Sequence, residues 1–158
     1  MPVTTIVSGG QTGVDRAALD VALERGLGIG GWVPRARIAE DGVIPERYTG
    51  LRETESADPA VRTARNVRHS DATLVVSHGP LSGGSLLTVQ EADRLGRPHL
   101  HLDMRLLEQE KAVSVLRAWL RTVDPRALNV AGPRASEDPA IGERVRTLLH
   151  AVLRREGE

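Results

Sequence analysis

The sequence predicts one α/β domain over residues 1–158, with a doubly wound, mostly parallel five-stranded sheet and helices on both faces. Short apolar runs alternate five times with longer segments of helical period. Parallel neighbours in a sheet need crossover connections, so this alternation favours a parallel arrangement. Glycine-rich turns follow three of the predicted strands, and no low-complexity linker divides the chain.

The first strand is predicted over residues 3–7, where β-branched residues are frequent. A helix is predicted from near Gly13 to Gly26, since Thr12 and Asp15 have the spacing of a capping box and glycine commonly ends helices. Apolar residues recur on one face of this helix. They are Val14, Ala17, Ala18, Val21 and Ala22.

A second strand is predicted over residues 29–33, followed by a long ordered loop over residues 34–57. Loops of this length inside a compact domain are usually functional or mobile. Asp58 then has the position of an N-cap for a short helix ending at Arg68.

The second half of the chain continues the alternation with three strands and three helices. Strands are predicted over residues 72–77, 99–102 and 127–131. Helices are predicted from the turn at residues 79–85 to about residue 95, over residues 106–123, and from Asp138-Pro139 onward.

Composition excludes several classes of protein. The chain has 21 basic and 21 acidic residues, so it lacks the basic excess of a general nucleic-acid binder. It has no cysteine, which excludes a disulfide framework, a thiolate metal site and a cysteine nucleophile. No signal peptide or membrane-spanning run is visible, so we expect a soluble cytoplasmic protein.

Three glycine-rich turns are the strongest functional signal. They occupy residues 8–13, 79–85 and 131–136, and the carboxyl ends of parallel strands place them on one edge. A single such turn also has a purely structural explanation, but glycines before a helix N-terminus suit phosphate binding. The candidate binding residues are Ser8, Gly9, Gly10, Gln11, Thr12, Gly13, Arg16, Ser82, Gly83, Gly84, Ser85 and Arg134.

Charged residues in and after the long loop allow two interpretations. The loop is either a solvated surface segment or a flap that closes over an anion. Arg62, Arg65 and Arg68 form one helical stripe, which suits a solvent face, a subunit contact or a ligand. The candidate flap residues are Arg35, Arg37, Glu40, Asp41 and Arg47.

Other motifs are absent or weak. No P-loop occurs, and the glycines from Gly28 to Gly31 precede a strand, so we interpret them as a helix stop and not as a dinucleotide fingerprint. His99 and His101 share a strand face without a third ligand nearby, which favours packing or surface positions. His78 lies at the predicted ligand edge. The sequence therefore predicts no protein-ligated metal and no catalytic residue.

Several segments of the chain match the sequence motifs of a known family. The most specific matching segment is residues 8–20 (SGGQTGVDRAALD). Further matches are residues 31–34 (GWVP), 40–42 (EDG), 44–48 (IPERY), 62–67 (RTxxNV), 70–73 (SDAT), 79–85 (GPLSGGS) and 128–134 (LNVAGPR). In these segments the chain resembles the molybdenum cofactor carrier proteins, in the circularly permuted YpsA branch of the SLOG superfamily.

The resemblance implies a Rossmann-like protein that binds molybdenum cofactor (molybdopterin) or another nucleotide-type ligand and breaks no bond. The cofactor's phosphate would lie at residues 9–13 and 82–85, with Arg134 and residues 35–47 as candidates for closing over it. The resemblance also implies a homo-oligomer, a dimer or tetramer, with apo-molybdoenzymes or cofactor-insertion proteins as partners.

Two alternatives belong to other SLOG branches. LOG-type phosphoribohydrolases release a base from a nucleoside monophosphate and carry a glutamate after the second glycine turn. That position falls on Thr88 here, which leaves Glu91 or Glu40 as substitutes. The other alternative is a nucleotide-ligand sensor or a DNA-handling module, and neutral net charge disfavours DNA.

Overall fold

The computed structural model describes residues 3–153; the remainder of the predicted domain, residues 1–2 and 154–158, lies outside the described residues. The larger elements are β1 (Thr5–Val7), α1 (Val14–Arg25), β2 (Gly28–Gly30), α2 (Pro59–Arg68), β7 (Ala72–Ser77), α3 (Gly83–Leu95), β8 (His99–Asp103), α4 (Gln109–Val123), β9 (Ala127–Ala131) and α5 (Ile141–Val152). Between β2 and α2 lie β3 (Trp32–Val33), a 3-10 turn (Arg35–Arg37), β4 (Ile38–Ala39), β5 (Gly42–Val43) and β6 (Arg52–Glu53).

Five strands form one parallel sheet in the order β2-β1-β9-β7-β8. The chain winds outward in both directions from the centre, since β1 leads to β2 on one side and β7 leads to β8 on the other. Helices α1, α5 and α4 pack together, and α2 packs against α3. The predicted doubly wound sheet is confirmed. Its central carboxyl edge, at β1, β9 and β7, is where such sheets bind ligands.

The main core lies between the sheet and α1, α4 and α5. The apolar stripe predicted for α1 is buried throughout, as are Ile141, Val145, Leu148 and Leu149 of α5. In the centre of the sheet, Ile6 pairs with Leu128 and Leu74 with Val130, all fully buried. Apolar burial of this kind stabilises the sheet and fixes its register.

The predicted second strand is divided in two. Gly31 has a φ of 126°, and a side chain there would meet the backbone of Ser8, so the chain bends between β2 and β3. Gly28 and Gly30 therefore lie in the edge strand β2, and the interpretation of the three glycines from Gly28 to Gly31 as a helix stop is wrong. Helix α1 ends at Gly26, whose φ is 69°. Strand β3 leaves the main sheet and pairs with β6.

The predicted long loop is ordered around a second, smaller core. Tyr48 is almost fully buried, and its hydroxyl donates to Asp20 Oδ1 (2.6 Å). Strands β4 and β5 form an antiparallel hairpin above this core. The buried members are Leu19, Val33, Ala39, Ile44 and Tyr48.

Helix starts differ from the predictions in three places. Gly13 is the N-cap of α1 without a side-chain hydrogen bond, so the predicted capping box of Thr12 and Asp15 is wrong. The Thr12 hydroxyl bonds to Glu40 and Ala135 N in other loops, and Asp15 accepts from the backbone N–H of Gln11. Helices α4 and α5 begin about three residues later than predicted, after turns, whereas Asp58 caps α2 as predicted by accepting from Ala60 N (2.9 Å).

Within residues 3–153, no helix is both long enough and apolar enough to cross a membrane.

Replacement of Gly132 by alanine should destabilise the fold. A Cβ there would meet the carbonyl oxygen of Val76 and lie 2.6 Å from Val14 Cγ2, so backbone must shift. We expect Gly132→Ala to lower the free energy of unfolding by about 1–3 kcal/mol in urea denaturation. Gly84→Ala is the matched control, because a Cβ at Gly84 meets nothing within 4 Å. Equal stability of the two variants would contradict this packing.

Candidate functional site

A cavity of about 230 Å³ lies at the carboxyl edge of the sheet. The three predicted glycine turns meet there, and α2 adds a fourth wall. Of the predicted site residues, Gly9, Gln11, Gly83, Gly84, Ser85 and Arg134 line this cavity. The lining residues that the predicted set did not include are Asp15, Pro59, Arg62, Thr63, Asn66, Thr88, Asn129, Ala131, Gly132 and Glu137.

The N-terminus of α3 offers unused hydrogen-bond donors to this cavity. Ser82 is the N-cap, but its side chain makes no capping bond. The backbone N–H groups of residues 83–85 belong to the first turn, which has no intrahelical acceptors. Ser85 is 8% exposed, and its hydroxyl has no hydrogen-bond partner within residues 3–153. Together with the helix dipole, these donors form a site of positive potential.

Arg62 is the cation held most firmly in the cavity. Its Nη1 donates to Gly9 O (2.5 Å), which fixes the guanidinium against the first glycine turn. A side chain at Gly9 would lie 2.9 Å from Arg62 Cζ and displace it. Arg134 is half exposed and pairs with Glu137 (3.2 Å).

The predicted arginine stripe on α2 divides between different environments. Arg62 faces the cavity, whereas Arg65 pairs with Glu55 (2.7 Å) and lies 4.9 Å from the Trp32 ring centroid. Arg68 is exposed. Of the three arginines in the stripe, only Arg62 lies where it could contact a ligand in this cavity.

Asp15 is a buried carboxylate in the cavity wall. Its Oδ2 accepts from the backbone N–H of Gln11 (3.1 Å), and its side chain does not cap α1 as predicted. Burial raises the pKa of Asp15 to about 6, although Arg62, the Gln11 N–H and Arg16 each lower it in part. A carboxyl that titrates near neutral pH is often functional.

Asn66 and Asn129 are buried amides that also line the cavity. Asn66 bonds the backbone of Trp32 with both side-chain atoms, accepting from its N–H (2.6 Å) and donating to its carbonyl oxygen (3.0 Å). Asn66 therefore attaches α2 to β3. Asn129 Nδ2 donates to Thr73 Oγ1 (3.3 Å), which leaves Asn129 Oδ1 without a donor in the described part of the chain.

Two carboxylates attach the β4–β5 hairpin to two of the glycine turns and to helix α1. Glu40 accepts hydrogen bonds from the Thr12 hydroxyl, from Ser136 N (3.1 Å) and from Ser136 Oγ (2.5 Å). Asp41 forms a bidentate ion pair with Arg16, with Nη2–Oδ1 at 2.6 Å. We call this group of contacts the hairpin latch.

The latch contacts lower the pKa of both carboxyls. For Glu40 the cause is chiefly the hydrogen bonds from Ser136 and Thr12, and for Asp41 it is the Arg16 guanidinium. The ionised forms are therefore favoured. The latch is complete at neutral pH and is lost only as pH falls through these lowered pKa values.

The remaining predicted residues lie outside the first cavity. Ser8 is fully buried and donates to Asp15 O (3.1 Å), and Gly10 N donates to Ser8 Oγ (3.2 Å). Gly13 packs directly on the turn after β9, where a Cβ would lie 2.9 Å from Ala135 N. These residues shape the walls.

The loop arginines also point away from the cavity. Arg37 donates to the carbonyl oxygens of Ile44 (3.3 Å) and Pro45 (3.0 Å), and Arg47 Nη2 donates to Tyr48 Oη (2.7 Å). Arg35 is exposed. The flap thus contacts the glycine turns through Glu40 and helix α1 through Asp41, and not through its arginines.

A second cavity of about 480 Å³ adjoins the first and shares Ser85 and Glu137 with it. Ser82, a predicted site residue, lines this second cavity. His78 also lines it and bonds Asp138 through Nδ1 (2.6 Å), while Arg144 lies 3.2 Å from His78 Nε2.

His99 and His101 occupy separate environments. His99 pairs with Asp93 (3.3 Å), and His101 Nε2 bonds Ser77 Oγ (2.7 Å). Burial lowers the pKa of His101. Among residues 3–153, no cluster of three or more histidines and acids is placed to hold a metal ion.

Comparison with known proteins adds a family and a solved structure. A model of the circularly permutated YpsA SLOG family matches residues 6–153. The fold superimposes with a TM-score of 0.93 on the 1.45 Å crystal structure of a protein from Syntrophus aciditrophicus SB, described as a proposed molybdenum carrier. The two sequences are 45% identical, over 96% of this chain and 95% of the other. No curated protein matches the chain.

Removal of the Glu40 carboxylate should release the third glycine turn. We expect Glu40→Ala to increase amide hydrogen exchange at Ser136, whose N–H loses its acceptor, and in residues 38–43. Glu46→Ala is the matched control, because Glu46 lies in the same segment, is exposed, and makes no hydrogen bond or ion pair within residues 3–153. Unchanged exchange at Ser136 in Glu40→Ala would show that the latch does not hold this turn.

Proposed function

The chain belongs to the circularly permutated YpsA SLOG family, and we propose that it is a carrier that binds a phosphate-bearing pterin of the molybdenum cofactor type. The observation that carries the proposal is the unused donor set at the N-terminus of α3, inside a cavity bounded by the glycine turns. The likeness to a protein described as a proposed molybdenum carrier supports this choice of ligand.

The donor set fits a phosphate. The N–H groups of residues 83–85 and the Ser85 hydroxyl supply hydrogen bonds, and the helix dipole supplies positive potential. Arg62 adds a guanidinium from α2, held in place by the carbonyl oxygen of Gly9. A phosphate is therefore bound by backbone and one fixed cation, which agrees with a chain of zero net charge.

A carrier needs shape and donors but no reacting group. The two carboxylates that the sequence offered as substitutes for a hydrolase glutamate do not line the cavity. Glu40 belongs to the hairpin latch, and Glu91 pairs with Arg94 (2.6 Å), which lowers the pKa of Glu91.

The proposal further includes a cytoplasmic homo-oligomer that passes its ligand to apo-molybdoenzymes or cofactor-insertion proteins.

A bulky residue at Gly84 should block the cavity without disturbing the fold. A Cβ at this position meets open space, so Gly84→Leu extends into the room left for the ligand. We expect a pterin monophosphate to raise the melting temperature of the wild-type protein and to leave that of Gly84→Leu unchanged. Gly84→Ala is the matched control and should keep most of the rise.

The same test at Gly10 would not be informative. A Cβ at Gly10 would lie 2.8 Å from Ile44 Cδ1 in the second core, so substitution there perturbs packing and not the cavity.

An equal rise in melting temperature for Gly84→Leu and the wild type would reject this cavity as the binding site. Native mass spectrometry of the purified protein tests ligand and oligomer together.

One observation favours a second candidate, the phosphoribohydrolase. Asp15 lines the cavity with a pKa of about 6, which suits a general acid or base near neutral pH. A carrier should release no free base when incubated with nucleoside monophosphates and analysed by chromatography. Base release that is lost in Asp15→Asn but kept in the control Glu91→Gln would replace the carrier with a hydrolase.

A further inference from the structure

We propose that Asp15 and Asn129 read the N–H edge of the ligand's heterocycle, and that this edge is the amino-oxo pyrimidine type shared by pterins and guanine. The assignment rests on the proposed function and deepens it. It names the part of the ligand that this wall of the cavity recognises, separately from the phosphate.

The first argument is an excess of acceptors at this wall. Asp15 is 7% exposed and Asn129 is 3% exposed, and both line the cavity. Within residues 3–153, Asp15 Oδ2 has one donor, Gln11 N, and neither Asp15 Oδ1 nor Asn129 Oδ1 has any. These oxygens are open to the cavity, so a ligand that displaces solvent from them binds best when it presents N–H groups in its place.

The second argument is the separation of charge within the cavity. A phosphate beside the Asp15 carboxylate would place two anions together, which is unfavourable at this degree of burial. The phosphate oxygens accept hydrogen bonds from the N–H groups at the start of α3 instead. A ligand with an anion at one end and an N–H edge at the other therefore matches both walls.

The amino-oxo pyrimidine edge meets these requirements. It presents a ring N–H and an exocyclic amino group side by side, which pair with the two oxygens of a carboxylate. Adenine presents a ring nitrogen acceptor next to its amino group, and that acceptor would face the Asp15 carboxylate. The wall thus favours guanine and pterin over adenine.

Reading by Asp15 requires the ionised carboxylate and therefore depends on pH. The charged groups around it are Arg16 from α1, Arg62 from α2, and Arg134 with Glu137 from the turn after β9. Burial nevertheless raises the pKa of Asp15 to about 6. Affinity for the N–H edge is full above this pKa and falls as pH drops through it.

The test is calorimetric titration of the full chain with guanosine 5′-monophosphate, adenosine 5′-monophosphate and ribose 5-phosphate. At about pH 7.5 we expect the wild type to prefer the guanosine ligand to the adenosine ligand by about tenfold or more. Asp15→Asn should remove about tenfold of the guanosine affinity and change the ribose 5-phosphate affinity less than about twofold.

Ribose 5-phosphate also controls for pH. Its phosphate titrates in the same pH range as the phosphate of the nucleotides. The ratio of the guanosine 5′-monophosphate affinity to the ribose 5-phosphate affinity therefore reports the contribution of the heterocycle alone. We expect the guanosine preference of the wild type to shrink between about pH 7.5 and about pH 5, and that of Asp15→Asn to stay constant. The wild-type pH comparison decides the matter even if the variant fails to fold.

The outcomes separate this assignment from the proposed function. Equal wild-type affinity for the guanosine and adenosine ligands, or an unchanged guanosine preference in Asp15→Asn, overturns the assignment and leaves phosphate binding intact. Failure of every phosphate-bearing probe, ribose 5-phosphate and a pterin monophosphate included, overturns the proposed function and the assignment with it.

Discussion

The close approach of the turn after β1 to the turn after β9 is the constraint on which the site depends. Val14 N donates to Pro133 O (3.2 Å), and Ala135 N donates to Thr12 Oγ1 (3.0 Å). This contact leaves no room for a side chain at Gly13. Since adjacent parallel strands carry both turns to one edge, their backbones form a wall of the cavity before any ligand binds.

The hairpin latch extends that wall with charge. Its two carboxylates draw on Thr12, Ser136 and Arg16, so the segment between β2 and α2 is held to both turns and to its own small core. Although the chain has zero net charge, its polar and charged groups are unevenly distributed around the cavity. Donors collect at the start of α3 and acceptors at Asp15, and the cavity is polar without being uniformly positive.

Several elements follow from sequence because their causes are local. Periodicity predicts α1 and its buried stripe, Asp58 predicts the start of α2, and the run of residues 72–77 predicts β7. The same local reasoning gives a wrong prediction for Asp15, because its spacing from Thr12 is that of a capping box. Thr12 instead bonds to Glu40 and to Ala135 N in other loops, and Asp15 accepts from Gln11 N in its own turn; a local rule cannot weigh the distant contacts of Thr12.

The sequence by itself determined the alternating elements and the three glycine turns, since apolar periodicity and turn chemistry are written in neighbouring residues. Only the tertiary structure decided which polar groups face the cavity. Arg62 enters it because α2 packs over Gly9, and Glu40 leaves it because the hairpin pairs with Ser136. The pKa of Asp15 likewise depends on its burial in the folded chain and on the charge of Arg62, which α2 brings from a distant part of the sequence, so no local pattern encodes it.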